Sequence, residues 1–382
     1  MLSRIFTIPV LVLSLASCGG SSSSDEDSIS KEELGKRLFS DVNLSFNRSQ
    51  SCATCHDPEH AFIDTRDNGV ASAVSLGDDG VSLGDRNTPT AAYAMFTPPF
   101  QSNNNGEPVG GQFHDGRVSN LAGQAGGPPT NPIEMGMPDK TATVDRLLEN
   151  SDYVAAFQSH FGNDIFNDVE QAYAAMAESI AAFEKTDEFA SFDSKYDRAA
   201  RGQYTMTAQE SLGQTLFFSE QFTNCHLCHQ IKAIPGSSEE LFSNHGYFNI
   251  GVPINETVRL ANGKGRAFID HGLLDNPAIT DVAHDGKFKV PTLRNVAVTG
   301  PYMHNGVFSD LRTVILFYDK FNNSARTINP ETGLAWAEAE LTSTIALDKL
   351  EEGGVLSDDD IDAIVAFLRT LTDQRYEHLI SG

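Results

Sequence analysis

Residues 52–56 read CATCH and residues 225–229 read CHLCH. Each stretch offers two thiols about one helical turn apart and an imidazole directly after them. In that arrangement both cysteines add to the vinyl groups of a haem and the histidine takes the iron. A single copy would also fit part of a zinc site. Here two copies use four of the five cysteines, and the fifth, Cys18, lies near the N-terminus, so no cysteine is left for a disulfide framework. The sequence predicts two covalently bound haem c groups. One is attached through Cys52 and Cys55 with His56 on the iron, the other through Cys225 and Cys228 with His229. His226, inside the second motif, reads as an exposed filler residue.

The residues leading into the two motifs echo each other. SKEELGKRLFSD (30–41) precedes the first and TAQESLGQTLFFSE (207–220) the second. Each opens on Ser or Thr, places acidic residues in the first turn and continues Leu-Gly-x-x-Leu-Phe. That pattern predicts a capped amphipathic helix feeding a haem loop. The expected fold is mainly α: two cytochrome-c-like haem domains, 31–200 and 201–382, joined near 195–207 and packed about an inter-domain interface. Helical periodicity also runs through 143–161, 168–186, 309–321 and 357–373. Strand signals are few. The loops at 67–90, 97–117, 123–140 and 232–265 are long and rich in Gly and Pro. Loops of that length build a site or wrap a cofactor.

The 382 residues carry a formal net charge of −25. That balance excludes nucleic acid and a basic membrane-binding patch. It suits a cationic partner, such as a small basic electron-transfer protein, and equally serves solubility. The N-terminus, MLSRIFTIPVLVLSLASCGG, has one Arg, a short apolar run and then small residues, the pattern of an export signal. LASC resembles a lipobox, which makes 1–17 a lipoprotein signal peptide, Cys18 the lipidated residue and 18–30 a flexible tether. A plain cleaved signal is the other reading. Either places the protein in the periplasm, and the first confines membrane contact to an N-terminal lipid anchor.

Five short motifs carry a family resemblance: RNTP (86–89), FHDGR (113–117), NPIEM (131–135), VPTLRN (290–295) and PYMHNG (301–306). Together with the two CxxCH motifs, the chain from about residue 31 onward resembles the bacterial di-haem cytochrome c peroxidases. Two features make it similar to the MauG-like branch. The loop from Asp57 to Arg86 holds only His60 as a second histidine for the first haem, on a short tether from His56. The resemblance then implies a five-coordinate, open first haem, with Met95, Met135 and Met137 as rival caps. At the second haem the family places a distal ligand fourteen residues past the His of PYxHxG, which is Tyr318 in this chain. Tyrosinate favours ferric and higher iron, whereas thioether raises the potential. Met303 is the rival ligand there.

The resemblance also implies roles. Glu134 matches the distal acid/base for peroxide cleavage, Gln124 the distal amide and Pro128 the adjoining wall. Asn87, Thr299 and Pro301 match the ligands of an inter-domain Ca2+. The residue before DGR is typically a Trp relay between the haems; here it is His114. The branch has a surface Trp before the second CxxCH; here Thr223 stands there, and the chain's one Trp is Trp336. The implied activity is reduction of hydrogen peroxide with electrons from a small periplasmic cytochrome or copper protein. A MauG-like oxidation of residues in a protein substrate is the alternative, and a non-enzymatic di-haem carrier a third reading. The family also allows a homodimer.

Overall fold

The computed structural model describes residues 29–231 and 239–380. The expected signal peptide, Cys18 and nearly all of the tether lie outside these residues. The two predicted helices ahead of the motifs are present. α1 spans Lys31–Phe39, where Ser30 accepts a hydrogen bond from the Glu33 N–H. Its counterpart spans Ala208–Phe217 and starts on a reciprocal capping box between Thr207 and Glu210. The stretch 143–161 is not one helix but two, α2 (Lys140–Leu148) and α3 (Ser151–Phe161). Asn150 breaks it, its side chain capping α3 through the Asp152 N–H. α4 covers Val169–Phe183 and α5 Lys195–Ala200. Taking Ala208–Phe217 as α6, the remaining long helices are α7 (Leu311–Asp319) and α8 (Asp358–Arg369).

The shared Gly of the repeat has a packing reason. A Cβ on Gly35 of α1 would stand 1.9 Å from the Ser179 carbonyl oxygen of α4. A Cβ on Gly213 of α6 would stand 1.8 Å from the Ala363 carbonyl oxygen of α8. Only hydrogen at these positions lets the helix pairs cross so closely. The Leu and Phe that follow are then driven inward: Leu38, Phe39, Leu216 and Phe217 are all buried.

Two apolar cores result. The first gathers Phe39, Phe62, Phe157, Phe183 and Phe189, with Phe62 and Phe189 stacked at 4.1 Å. The second gathers Phe217, Phe242, Ile364 and Phe367. α5, in the expected joint between domains, packs on the second core: the Tyr196 ring lies 5.0 Å from Phe242. Strand structure among the described residues is limited to three antiparallel two-residue ribbons, one pairing Tyr247–Phe248 with Phe288–Lys289. No helix among them is long and apolar enough to cross a membrane.

The long loops are held by ion pairs to buried carboxylates. Arg86 makes a two-pronged contact with Asp270 (2.6 and 2.8 Å) and reaches Asp115 at 2.6 Å. Arg294 grips Asp197 at 2.5 and 2.9 Å. Both guanidiniums span long sequence separations.

Candidate functional site

The first motif forms one helical turn, Cys52–Cys55, entered through mutual contacts of Ser51 and Thr54. His56 Nδ1 lies 3.1 Å from the Phe62 carbonyl oxygen. His229 Nδ1 lies 2.9 Å from the Phe242 carbonyl oxygen. A carbonyl only accepts, so Nδ1 carries the proton in both rings and the Nε2 lone pair is left for a metal. Burial lowers both imidazoles, His229 to about 4, so each is neutral, the form that ligates. All four thiols are free.

The second motif opens on a cavity of about 380 Å³, lined by Cys225, Cys228, His229, Met303 and Tyr318. That volume is within the range of cofactor pockets. Two buried imidazole nitrogens on its wall, His245 Nε2 and His304 Nε2, have no protein partner. Unpartnered buried nitrogens are costly unless something fills the cavity and bonds to them. Thiols, free imidazole nitrogens and an apolar cavity together fit a covalently attached haem. Tyr318 lines the same cavity as Cys225 and Cys228, and burial raises its phenol. Met303 lines the same cavity, so both ligand candidates face one site.

Of the residues expected at the first haem, Glu134 lies near the first motif, and Gln124 and Pro128 lie on the same stretch of turns. Gln124 sits on the one-turn helix Leu121–Ala125, and its carbonyl accepts from the Gly127 N–H at 2.9 Å. The Pro128 carbonyl accepts from Asn131 and Met135 N–H groups, and the Glu134 N–H donates to the Asn131 carbonyl. These turns fold residues 124–137 back on themselves. The Glu134 carboxyl lies within electrostatic reach of Cys52 and Cys55. Burial raises it above the usual carboxylate range, against the opposing pull of Arg117 and Asn131. Of the rival caps, His60 has a partner of its own. His60 pairs with Asp57 at 2.7 Å with a side chain 41% exposed. Met135 belongs to the first core, Met95 packs against it, and Met137 is buried.

Asn87, Thr299 and Pro301 all line the 380 Å³ cavity. The Asn87 amide donates to the Ala73 carbonyl at 3.0 Å, which leaves its Oδ1 as a free oxygen donor. His114 lines the cavity too. Its Nε2–H donates to the Asn87 carbonyl at 2.9 Å, and its own carbonyl accepts from the Lys289 N–H at 2.8 Å. Burial lowers the ring to about 4, so His114 is neutral. His226 differs from its sequence reading: it is half-buried, and its Nδ1 is fully enclosed without a partner.

Sequence reasoning assigned no role to Tyr93, Asp373, Glu184 or the imidazole of His304. Of these only His304 stands in a recognised motif; the others are joined to the site by tertiary packing alone.

Comparison with known proteins agrees with this geometry. A sequence model of the family described as di-haem cytochrome c peroxidase matches residues 29–205. The methylamine utilization protein MauG of Paracoccus denitrificans is 52% identical over 349 residues, covering 91% of this chain and 89% of that protein. The cytochrome c551 peroxidase of Pseudomonas aeruginosa is 27% identical over 357 residues, covering 90% and 79%. The crystal structure of the diheme peroxidase BthA from Burkholderia thailandensis matches with a TM-score of 0.81 at 31% identity, covering 92% of this chain and 88% of that one. Two haem c groups are thus the cofactors of the two CxxCH sites, and the chain belongs to the di-haem cytochrome c peroxidase family, in its MauG-like branch.

Proposed function

We propose that the protein is a periplasmic di-haem peroxidase that reduces hydrogen peroxide at the first CxxCH site with electrons relayed through the second. Residues 31–200 form the peroxidatic half and residues 201–382 the electron-transfer half. The observation that carries the reading is Glu134: a carboxyl raised by burial and within electrostatic reach of the attachment thiols Cys52 and Cys55. Haem at this site supplies an iron that binds and polarises peroxide. Glu134 takes the proton from the inner peroxide oxygen and returns it to the outer one, which leaves as water. The Gln124 amide donates to the oxygen on which charge develops, and Pro128 walls off water. Two electrons and two protons convert one peroxide into two waters.

Tyr318 and His229 are the proposed ligands of the second haem, and a small periplasmic cytochrome or copper protein the donor. A Ca2+ held by Asn87 Oδ1 and the carbonyls of Thr299 and Pro301 suits hard neutral oxygens. Cys18 is the proposed lipid anchor and a homodimer the proposed assembly. A second reading, peroxide-driven oxidation of residues in a protein partner, is favoured by the Tyr318 position and by the Paracoccus relative.

Mixing the resting ferric protein with peroxide in a stopped-flow spectrometer tests the proposal. The resting spectrum should combine high-spin and low-spin haem, and peroxide should shift it. Glu134→Gln should slow that step by about 10²- to 10⁴-fold. Two low-spin haems that ignore peroxide would refute the reading.

A further inference from the structure

Tyr93 and Asp373 form a hydrogen-bonded pair at the seam between the two cores. Tyr93 is 1% exposed and Asp373 0%. The phenol donates to Asp373 Oδ1 at 2.5 Å and accepts from the Phe192 N–H at 3.2 Å. Asp373 Oδ2 accepts from Asn295 Nδ2 at 2.9 Å, and the Asp373 N–H donates to Asn295 Oδ1 at 2.8 Å. The phenolic proton is therefore held on one path between two fixed oxygens. Tyr93 also lines the cavity whose wall includes Cys225, Cys228, His229, Tyr318 and His114.

No other tyrosine combines these properties. Tyr173, Tyr247 and Tyr302 donate to backbone carbonyls, which are poor proton acceptors. Tyr204 donates to Glu210 and Tyr153 lies beside Asp41, but neither lines the cavity. Oxidising a buried phenol without a base leaves a buried cation, which is costly. With Asp373 as base no positive charge appears, and the pair passes from one negative charge to none. Burial raises the Asp373 carboxyl, which favours its holding a proton. The nearby Arg294 guanidinium, 5.6 Å from the Tyr93 ring, is already neutralised by Asp197.

We propose that the Tyr93–Asp373 pair is a proton-coupled redox site that holds one oxidising equivalent between the two haem centres. This rests on the peroxidase reading for its source of oxidant. Tyr93 loses one electron to the oxidising equivalent left by peroxide cleavage. Its Oη–H bond breaks and an O–H bond forms on Asp373 Oδ1, giving a neutral tyrosyl beside a neutral carboxylic acid. An electron from the donor reverses both transfers.

The test is electron paramagnetic resonance of the freeze-trapped holoprotein grown with ring-deuterated tyrosine. It is oxidised in one arm by hydrogen peroxide and in the other by a photogenerated ruthenium(III) polypyridyl complex. The expected result in both arms is an organic radical signal that narrows on deuteration and is lost in Tyr93→Phe. Asp373→Asn, which keeps an acceptor but not a base, should lose it too. In the photochemical arm an infrared band of a protonated carboxyl should appear in the wild type and be lost in Asp373→Asn. A tyrosyl signal that survives in Tyr93→Phe overturns the proposal, as does the absence of any tyrosine-derived signal under photochemical oxidation. A Tyr93 radical formed photochemically in a protein whose haems ignore peroxide upholds the pair and refutes the peroxidase reading; one formed photochemically in a protein whose haems respond to peroxide without oxidising Tyr93 overturns the proposal.

Discussion

Replacing Gly213 with alanine tests whether the close helix crossing sets the position of the second haem loop. The new Cβ would stand 1.8 Å from the Ala363 carbonyl oxygen, 2.5 Å from its carbonyl carbon and 2.9 Å from Phe367 Cβ. The first two obstacles are backbone, so no rotamer change relieves them. Restoring ordinary contact requires α6 and α8 to separate by roughly 1.5 Å. Overpacking of this kind costs about 1–3 kcal/mol or more. Alanine returns up to about 1 kcal/mol through its better helix propensity. The clash is deep enough to place the strain at the top of its range, so the net destabilisation is about 2 kcal/mol. At ~2–4 °C per kcal/mol for a domain of this size, the melting midpoint should fall by ~4–8 °C. Thermal unfolding of the holoprotein followed by far-ultraviolet circular dichroism measures it. Leu212→Ala, at a position 45% exposed on the same helix, serves as the control. A Gly213→Ala protein that melts at or above the wild-type temperature would refute the reasoning, because propensity would then outweigh the crossing.

Tyr318→Phe should change the ligand-field spectrum of the second haem and leave the first unaltered, whereas Met303→Leu should leave both unaltered; the reverse outcome reassigns the ligand. Glu184 is buried, with Oε2 unpartnered, and burial pushes its carboxyl up to about 8. The folded state therefore binds a proton that the unfolded state releases near pH 4.5, and stability should fall as pH rises from about 4.5 to 8. Glu184→Gln should flatten that dependence in denaturant titrations at several pH values, and an unchanged slope counts against it. His114→Trp should strengthen the spectral coupling of the two haems after peroxide addition, since indole is more readily oxidised than imidazole; an untouched spectrum argues against a relay at this position.

Local signals account for what the sequence disclosed. Ser30, Thr207 and Ser357 mark helix starts because each side chain satisfies an N–H of its own first turn, a contact that needs only neighbours in sequence. The periodicity of 143–161 misled for the same reason. Apolar positions continue across the break, and only the Asn150 cap, competing for the backbone locally, divides the segment into α2 and α3. The haem sites were legible because attachment chemistry demands five consecutive residues. Tyr93 and Asp373 are separated by 280 positions and share no motif. Nothing local in either residue announces the other, and the same holds for Arg86 with Asp270, 184 positions apart.

The seam between the halves is therefore worth reading as a registry device. Its principal side-chain ties are Arg86 with Asp270, Arg294 with Asp197, and Tyr93 with Asp373. Buried pairs of this kind add little net stability over apolar residues of the same size, yet losing one partner costs about 3–5 kcal/mol. An apolar seam could slide and repack with small penalties. A seam of directional contacts has one low-energy arrangement. His114 joins it too: its Nε2–H donates to the Asn87 carbonyl, the Asn87 N–H donates to the His304 carbonyl at 2.7 Å, and the Lys289 N–H donates to the His114 carbonyl. The chain of contacts thus crosses from the first half to the second and returns. Electron transfer between two centres depends steeply on their separation. A scaffold that spends buried charge to remove freedom at this seam, rather than to add stability, is what such a reaction requires.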